Sequence, residues 1–296
     1  MFAALPNAAL YLIATLIWGS TWLAITWQLG EVPPAVSVGW RFLLAGCVLL
    51  AWCRLRGESL RLPRREYLWC LWQGILLFGV SYVCVYEAER WIASGLMAVL
   101  NSAMLLFNLL GMRLAFGKRI DAQSLIGVAL GTAGIALVFW PEVLADHAAG
   151  SWRGIAYGLA AALIASCGNL VAQRNRQAAQ PLLPGTGFAM LMGGASALLL
   201  AVLTGQTLAF DLRAPYVASL LYLALFGSVL AFLAYFTLIG RIGAGRAGYM
   251  AVAVPILALI MSGLFEGLQW TGWTVAGIAC AVLGNVVMLH RPAAKT

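Results

Sequence analysis

Apolar residues in this chain do not alternate with polar ones, and they do not form a narrow stripe. They run in unbroken blocks of about twenty, with the charged residues gathered between the blocks. That length matches the roughly 20 helical residues needed to cross about 30 Å of hydrocarbon. Ten blocks are expected as helices, at 8–28, 34–53, 67–86, 93–115, 121–140, 153–173, 184–204, 214–238, 246–265 and 270–290. The expected fold class is therefore an all-α polytopic membrane protein with ten transmembrane helices.

The second five blocks restate the first five. Gly95-Leu-Met-Ala-Val99 returns as Gly248-Tyr-Met-Ala-Val252, and the pair Gly127 and Gly134 returns as Gly277 and Gly284 at the same spacing. The unit is far longer than a solenoid repeat, so half the protein has been duplicated. Residues 1–140 are expected to form the first five-helix repeat and 153–296 the second. The stretch 141–152 is expected to be an extracytoplasmic linker. Charge orients the whole. Arg54, Arg56, Arg61, Arg64, Arg65, Arg113, Lys118, Arg119, Arg174, Arg176, Arg241, Arg246, Arg291 and Lys295 fall on one side. Only Arg90, Arg153 and Arg213 fall on the other. Lys and Arg mark cytoplasmic loops, which places both termini in the cytoplasm. Five is odd, so the halves point in opposite directions and form inverted repeats. Such halves exchange conformations around a central site.

Composition narrows the class. The chain is 63% hydrophobic and 9% charged, where a soluble domain carries about 25% charged residues. The net charge of +8 follows from the cytoplasmic loops and implies no nucleic-acid partner. The six cysteines lie in or at the ends of apolar runs with no CxxC pair, so they read as apolar fillers rather than metal ligands or disulfides. The first apolar run, Leu10 to Trp27, is too long for a signal-peptide core and has no basic stretch before it. No cofactor or metal is expected; the partners are lipid, a small-molecule substrate and, if export is ion-driven, protons.

A few polar and aromatic residues interrupt the blocks. Trp18-Gly19-Ser20 in block 1 is matched by Cys167-Gly168-Asn169 in block 6. Each glycine allows a neighbouring backbone to come close; the functional reading adds Trp18 and Asn169 as cavity residues and Gly19 and Gly168 as hinge positions. Arg41 lies about 10 Å below the end of block 2, at 1.5 Å per residue. A charge at that depth points inward to a partner, and the acids nearest in depth are Glu87 and Glu89. They read either as a structural clamp, as a proton-coupling pair, or as solvated loop residues. Tyr82 and Tyr86 share a face and belong either to an interfacial belt or to the cavity. Asn101 is the more central of two asparagines in block 4, Asn108 being the other, and is a cavity candidate. Tyr235 adds to an aromatic cavity wall, and Pro255 marks a kink and a gate candidate in block 9.

These motifs in their order resemble the drug/metabolite transporter superfamily, specifically its ten-span EamA-type exporters. The resemblance rests on Trp18-Gly-Ser-Thr, Arg41-Phe-Leu-Leu-Ala45, Ala88-Glu89 followed by Ser94-Gly95, and Gln123-x-x-Ile-Gly127-x-x-Leu-Gly-x-x-Gly134. The second half adds Trp152-x-Gly154, Gly168-Asn169, Tyr222-Leu-Ala-Leu-Phe-Gly-Ser228 and Pro255. It covers about residues 8–290. It implies two inverted repeats, a central cavity lined by helices 1–4 and 6–9, and export of amino acids, other metabolites or drugs across a bacterial inner membrane. The chain departs from the pattern at Gly117-Lys118 and at Glu266-Gly267, where Gly-Glu is common, and in having Asn108 near the place of a proline.

The expected function is secondary-active export of small amphipathic metabolites such as amino acids, by alternating access and with proton coupling through Glu89 as one option. Facilitated diffusion and drug efflux stay open beside it. No GxxxxGK[ST] loop is present for ATP. An intramembrane enzyme fits less well. His147 and His290 sit at membrane edges, away from any serine nucleophile, and no HExxH pair occurs. The short loops leave no room for a signalling domain.

Overall fold

The computed structural model describes residues 5–117, 119–144, 148–247 and 250–289. Lys118, His147, Gly248, His290, Arg291 and Lys295, named above, lie outside the described residues. Among the described residues every regular element is helical. In chain order they are α1 (Asn7–Thr26), α2 (Pro34–Leu55), α3 (Arg64–Gln73), α4 (Ser81–Ala88), α5 (Ser94–Asn101), α6 (Met104–Phe116) and α7 (Ala122–Leu144). The series continues with α8 (Ala148–Gln177), α9 (Leu182–Leu203), α10 (Ala214–Leu221), α11 (Ala231–Ala247), α12 (Met250–Phe265) and α13 (Gly272–Leu289). Two π-helical stretches, Gly74–Val80 and Tyr222–Leu230, join α3 to α4 and α10 to α11.

Eight helical stretches among the described residues are long and apolar enough to cross a membrane: 7–26, 34–55, 64–88, 94–116, 122–141, 151–177, 182–203 and 214–242. Two shorter apolar stretches, 252–265 and 272–287, stand in the last two of the ten expected places. The boundaries follow local chemistry. Pro33 and Pro34 start α2, because Pro lacks only an N–H that the first turn leaves free. Gly117, with φ +65°, ends α6 in a left-handed cap that a side chain would strain. The expected fourth block is not one straight helix, since a turn at Ser102 and Ala103 separates α5 from α6. The stretch 141–152, expected as a linker, is helical wherever it is described: α7 runs through Pro141 to Leu144, and α8 starts at Ala148.

Packing runs through glycine. A Cβ at Gly39 would meet the Gly194 carbonyl at 3.2 Å, and one at Gly46 would meet the Gly187 carbonyl at 2.9 Å. One residue number rises as the other falls, so α2 and α9 are antiparallel. The same holds for α7 and α13. A Cβ at Gly134 would lie 2.6 Å from the Gly277 carbonyl, and one at Gly284 would lie 2.5 Å from the Gly127 carbonyl. The Gly-x6-Gly pairs of blocks 5 and 10 therefore interlock with each other. In α5 and α12, Gly95 approaches Leu259, and Ser102 and Pro255 share a small cavity, again antiparallel. The remaining contacts place α1 against α11 and α12, and α8 against α4, α5 and α6.

This close approach sets a test. Gly134→Ala drives a methyl group into the Gly277 carbonyl, an overpacking cost of about 1–3 kcal/mol. A Cβ at Gly131 would meet nothing within 4 Å, and Ala favours a helix interior by about 0.5–1 kcal/mol over Gly. Thermal melting in detergent is expected to fall by several degrees for Gly134→Ala and to hold or rise for Gly131→Ala.

Candidate functional site

The polar residues inside the bundle separate towards its two ends. One end carries residues 27–33, 89–93, 204–213 and 266–271. It is closed by side chains from four segments of the chain. Arg41 on α2 is 2% exposed. Its Nε donates to Ser228 Oγ at 3.3 Å and its Nη1 donates to the Tyr86 hydroxyl at 3.4 Å. Tyr86 in turn donates to Gln28 Oε1 at 2.8 Å, just past the end of α1. The guanidinium lies over the rings of Tyr82 and Phe42, 4.8 and 5.0 Å from their centroids, an arrangement that stabilises a desolvated cation. The π-helical turn matters here. Ser228 Oγ donates to the Leu223 carbonyl five residues back, which leaves its lone pairs for Arg41.

The expected ion pair between Arg41 and Glu87 or Glu89 is not formed. Glu87 is half-buried and pairs with the exposed Arg90 at 2.9 Å, the usual arrangement for a carboxylate one turn from a basic residue. Neutral oxygens and aromatic rings take the partner's place around Arg41. Glu89 is 7% exposed, and both of its carboxyl oxygens are buried without a hydrogen-bond partner. Glu266 and Arg41 are the charged groups that act on it. Glu266 itself accepts hydrogen bonds from the Ser94 backbone N–H at 3.2 Å and from the Ser94 hydroxyl, capping the start of α5.

The other end opens into a cavity of about 250 Å³ bounded by α3 with its π-helical extension, α8, α9 and α11. Gln73, Leu77 and Phe78 line one wall, Asn169, Gln173, Asn175 and Arg176 a second, and Phe232, Tyr235, Phe236 and Ile239 a third. Arg176, Pro181 and Leu182 at the rim are exposed, so the cavity reaches solvent at this end. Gly168 explains how Asn169 comes to face it: the Leu77 backbone comes so close that a Cβ there would meet its N at 2.8 Å. Beside the mouth, Arg174 grips Glu66 with two hydrogen bonds of 2.5 and 3.1 Å and lies 4.5 Å from the Trp69 ring centroid.

An aromatic column separates the two ends. Phe42 contacts Tyr82 and Phe78, with centroids 4.7 and 5.2 Å apart, and Phe78 contacts Phe232 at 6.1 Å. Trp18 closes the column against Phe232 and Tyr235 at 5.3 and 5.1 Å, and its Nε1 donates to the Gly227 carbonyl at 3.1 Å.

Of the residues singled out in the sequence, Asn169 and Tyr235 line the cavity and Trp18 backs it. Arg41, Tyr82, Tyr86 and Glu89 gather at the sealed end. Tyr86 is fully buried and is not in an interfacial belt. Asn101 ends α5, half-buried and off the cavity wall. Gly19 packs against Leu257 on α12, and Pro255 lies beside the Ser102 turn. Sequence reasoning missed Gln28, Gln73, Asn175, Ser228 and Glu266. Glu266 was visible only as a departure from the usual Gly-Glu order. Gln73 was the one amide inside block 3, and that position was its only signal.

Known proteins resemble the chain over almost its whole length. Residues 6–140 and 152–290 each match the model of the EamA-like transporter family. The chain is 31% identical over 280 residues to a protein of Escherichia coli K12 described as the uncharacterized inner membrane transporter YedA, covering 92% of this chain and 85% of that one. It is 24% identical over 290 residues to a probable amino-acid metabolite efflux pump of Salmonella typhimurium, covering 93% and 92%. A crystal structure of a protein 20% identical superposes with a TM-score of 0.68 over 95% of both chains, which shows the fold.

The sealed end yields a prediction. Tyr86→Phe leaves Gln28 Oε1 without its donor and removes an acceptor from Arg41, an expected loss of about 1–3 kcal/mol. Glu87→Gln breaks only the exposed pair with Arg90 and is expected to cost under about 1 kcal/mol. Melting of the two variants side by side in detergent checks the ranking.

Proposed function

The chain belongs to the EamA-like transporter family, and from that premise we propose that it is a secondary carrier that exports small amphipathic metabolites, amino acids among them, by alternating access. It is a multi-pass inner-membrane transporter by family and by its membrane-length apolar helices. The observation that carries the mechanism is the one-ended cavity. Solvent reaches Asn169 and Tyr235 from one end, while rings and the Arg41 network close the other. A carrier in one of its two facing states has this form. An intramembrane enzyme is the weaker reading, because the cavity wall brings no nucleophile and base together.

Ten spans in two inverted halves, 1–140 and 153–296, account for the antiparallel pairing of equivalent helices: α2 with α9, α5 with α12, α7 with α13. The paired π-helical turns in the third and eighth spans fit the same reading. With both termini in the cytoplasm, as the distribution of Lys and Arg implies, the cavity opens inward and the Arg41 seal faces out. The cycle then runs by parting the Arg41–Tyr86–Gln28 network as the inner mouth closes, with Gly19, Gly168 and Pro255 as the positions where helices slide or bend.

Glu89 links that cycle to protons. A buried carboxylate without a partner is costly when ionised, so closure of the outer end takes a proton from outside onto Glu89 and opening returns it there. Acid outside therefore holds the seal shut. In liposomes loaded with labelled amino acids, efflux is expected to slow as the outer pH is lowered, and Glu89→Gln is expected to flatten that dependence. Efflux that keeps its full pH profile in Glu89→Gln would remove the residue from the cycle.

A further inference from the structure

We infer that the cavity chooses its substrates by a carboxylate rather than by an amine, and that Arg176 is the residue that reads the carboxylate. This rests on the carrier reading above. Among the described residues the cavity wall holds one charged side chain, Arg176, and no Asp or Glu. Arg174 is two residues away but is already spent on Glu66 and Trp69. Among the described residues no carboxylate pairs with Arg176. The cavity mouth thus carries, at its exposed rim, a cation with no carboxylate partner among the described residues.

The amides divide into donors and an acceptor. Gln73 Oε1 accepts from Asn175 Nδ2 at 2.9 Å, so the group Gln73 has left for the cavity is its N–H pair. Asn169 Nδ2 is turned the other way, towards Asn108 Oδ1 at 3.5 Å and Met104 Sδ at 3.3 Å, which leaves its Oδ1 as an acceptor. A carboxylate therefore meets a guanidinium and an amide N–H, the charge-assisted arrangement that arginine forms best. An amine meets only neutral amide oxygens, those of Asn169 and Gln180. Asn169 accepts from an ammonium, an amide N–H or a hydroxyl alike. A ligand that carries an amine and no acid meets the Arg176 charge with nothing to offset it, which is selection by repulsion. The apolar body of the ligand lies on Phe78, Phe232, Tyr235 and Phe236. The substrate class is then the amphipathic monocarboxylate that fits about 250 Å³: apolar amino acids, their N-acyl derivatives and 2-hydroxy acids.

Four related compounds separate the cases: phenylalanine, N-acetylphenylalanine, phenylalaninamide and phenethylamine. Efflux from liposomes and binding to the detergent-solubilised protein, read by quenching of tryptophan fluorescence, are measured for each. The two acids are expected to bind and be carried at least tenfold better than the amide and the amine. Arg176→Gln is expected to raise KM for the acids about tenfold with little change in kcat, and Arg176→Lys to restore most of the loss. Equal carriage of acid and amine, or acids handled normally by a folded Arg176→Gln, would overturn the inference while the exporter reading stood. Selective binding of acids without efflux of any compound would overturn the exporter reading and leave the selectivity of the cavity in place. Binding of none of the four would overturn the inference outright.

Discussion

Helices in this protein touch backbone to backbone at glycine, and the rest of the structure depends on that contact. Lipid tails are as apolar as leucine, so a bilayer supplies no hydrophobic force to drive one helix against another. What remains is close packing, and small residues allow it. Gly39, Gly46, Gly187 and Gly194 hold α2 to α9, and Gly127, Gly134, Gly277 and Gly284 hold α7 to α13. Each of these pairs is antiparallel, so its small faces meet along the length of the seam. Small faces at these seams leave the bulky rings free to fill the space between α1, α2, the third span and the eighth.

That space is where the polar groups are distributed, and their distribution is unequal. At the sealed end Arg41 is satisfied by two hydroxyls and two rings. A carboxylate partner would lock the end more tightly, since separating a buried ion pair costs far more than parting neutral hydrogen bonds. On the carrier reading proposed above, a gate that must open is better built from the weaker contacts. At the open end the strong pair, Glu66 with Arg174, lies beside the cavity rather than across it. Arg176 is left at the exposed rim of the cavity. The aromatic column from Trp18 to Tyr82 lies between these environments and keeps water from joining them.

Much of this was legible along the chain, for reasons that can be stated. A bilayer demands long apolar helices, so the ten blocks show directly in hydrophobicity. The Gly-x6-Gly spacing marks packing faces because seven residues bring a helix back to nearly the same side, and these glycines do form the α7–α13 seam. Depth alone identified Arg41 as a buried charge. Partners were not legible in the same way. Depth matched Arg41 with Glu87 and Glu89, but helix rotation turns Glu87 towards Arg90 and leaves Glu89 without a hydrogen bond. Ser228 reaches Arg41 only because a π-helical turn re-aims it, and no spacing rule announces such a turn.

The membrane-spanning class and the existence of a deep cation follow from the sequence alone, because each depends on local composition and length set against a bilayer of known thickness. The split into a sealed end and an open end, the aromatic column between them, and the separation of Arg174 from Arg176 into a paired and an unpaired cation arise only in three dimensions. Each depends on how helices rotate and slide against one another. Those degrees of freedom are set by contacts between residues far apart in the chain, as Trp18 with Gly227 and Glu66 with Arg174 illustrate.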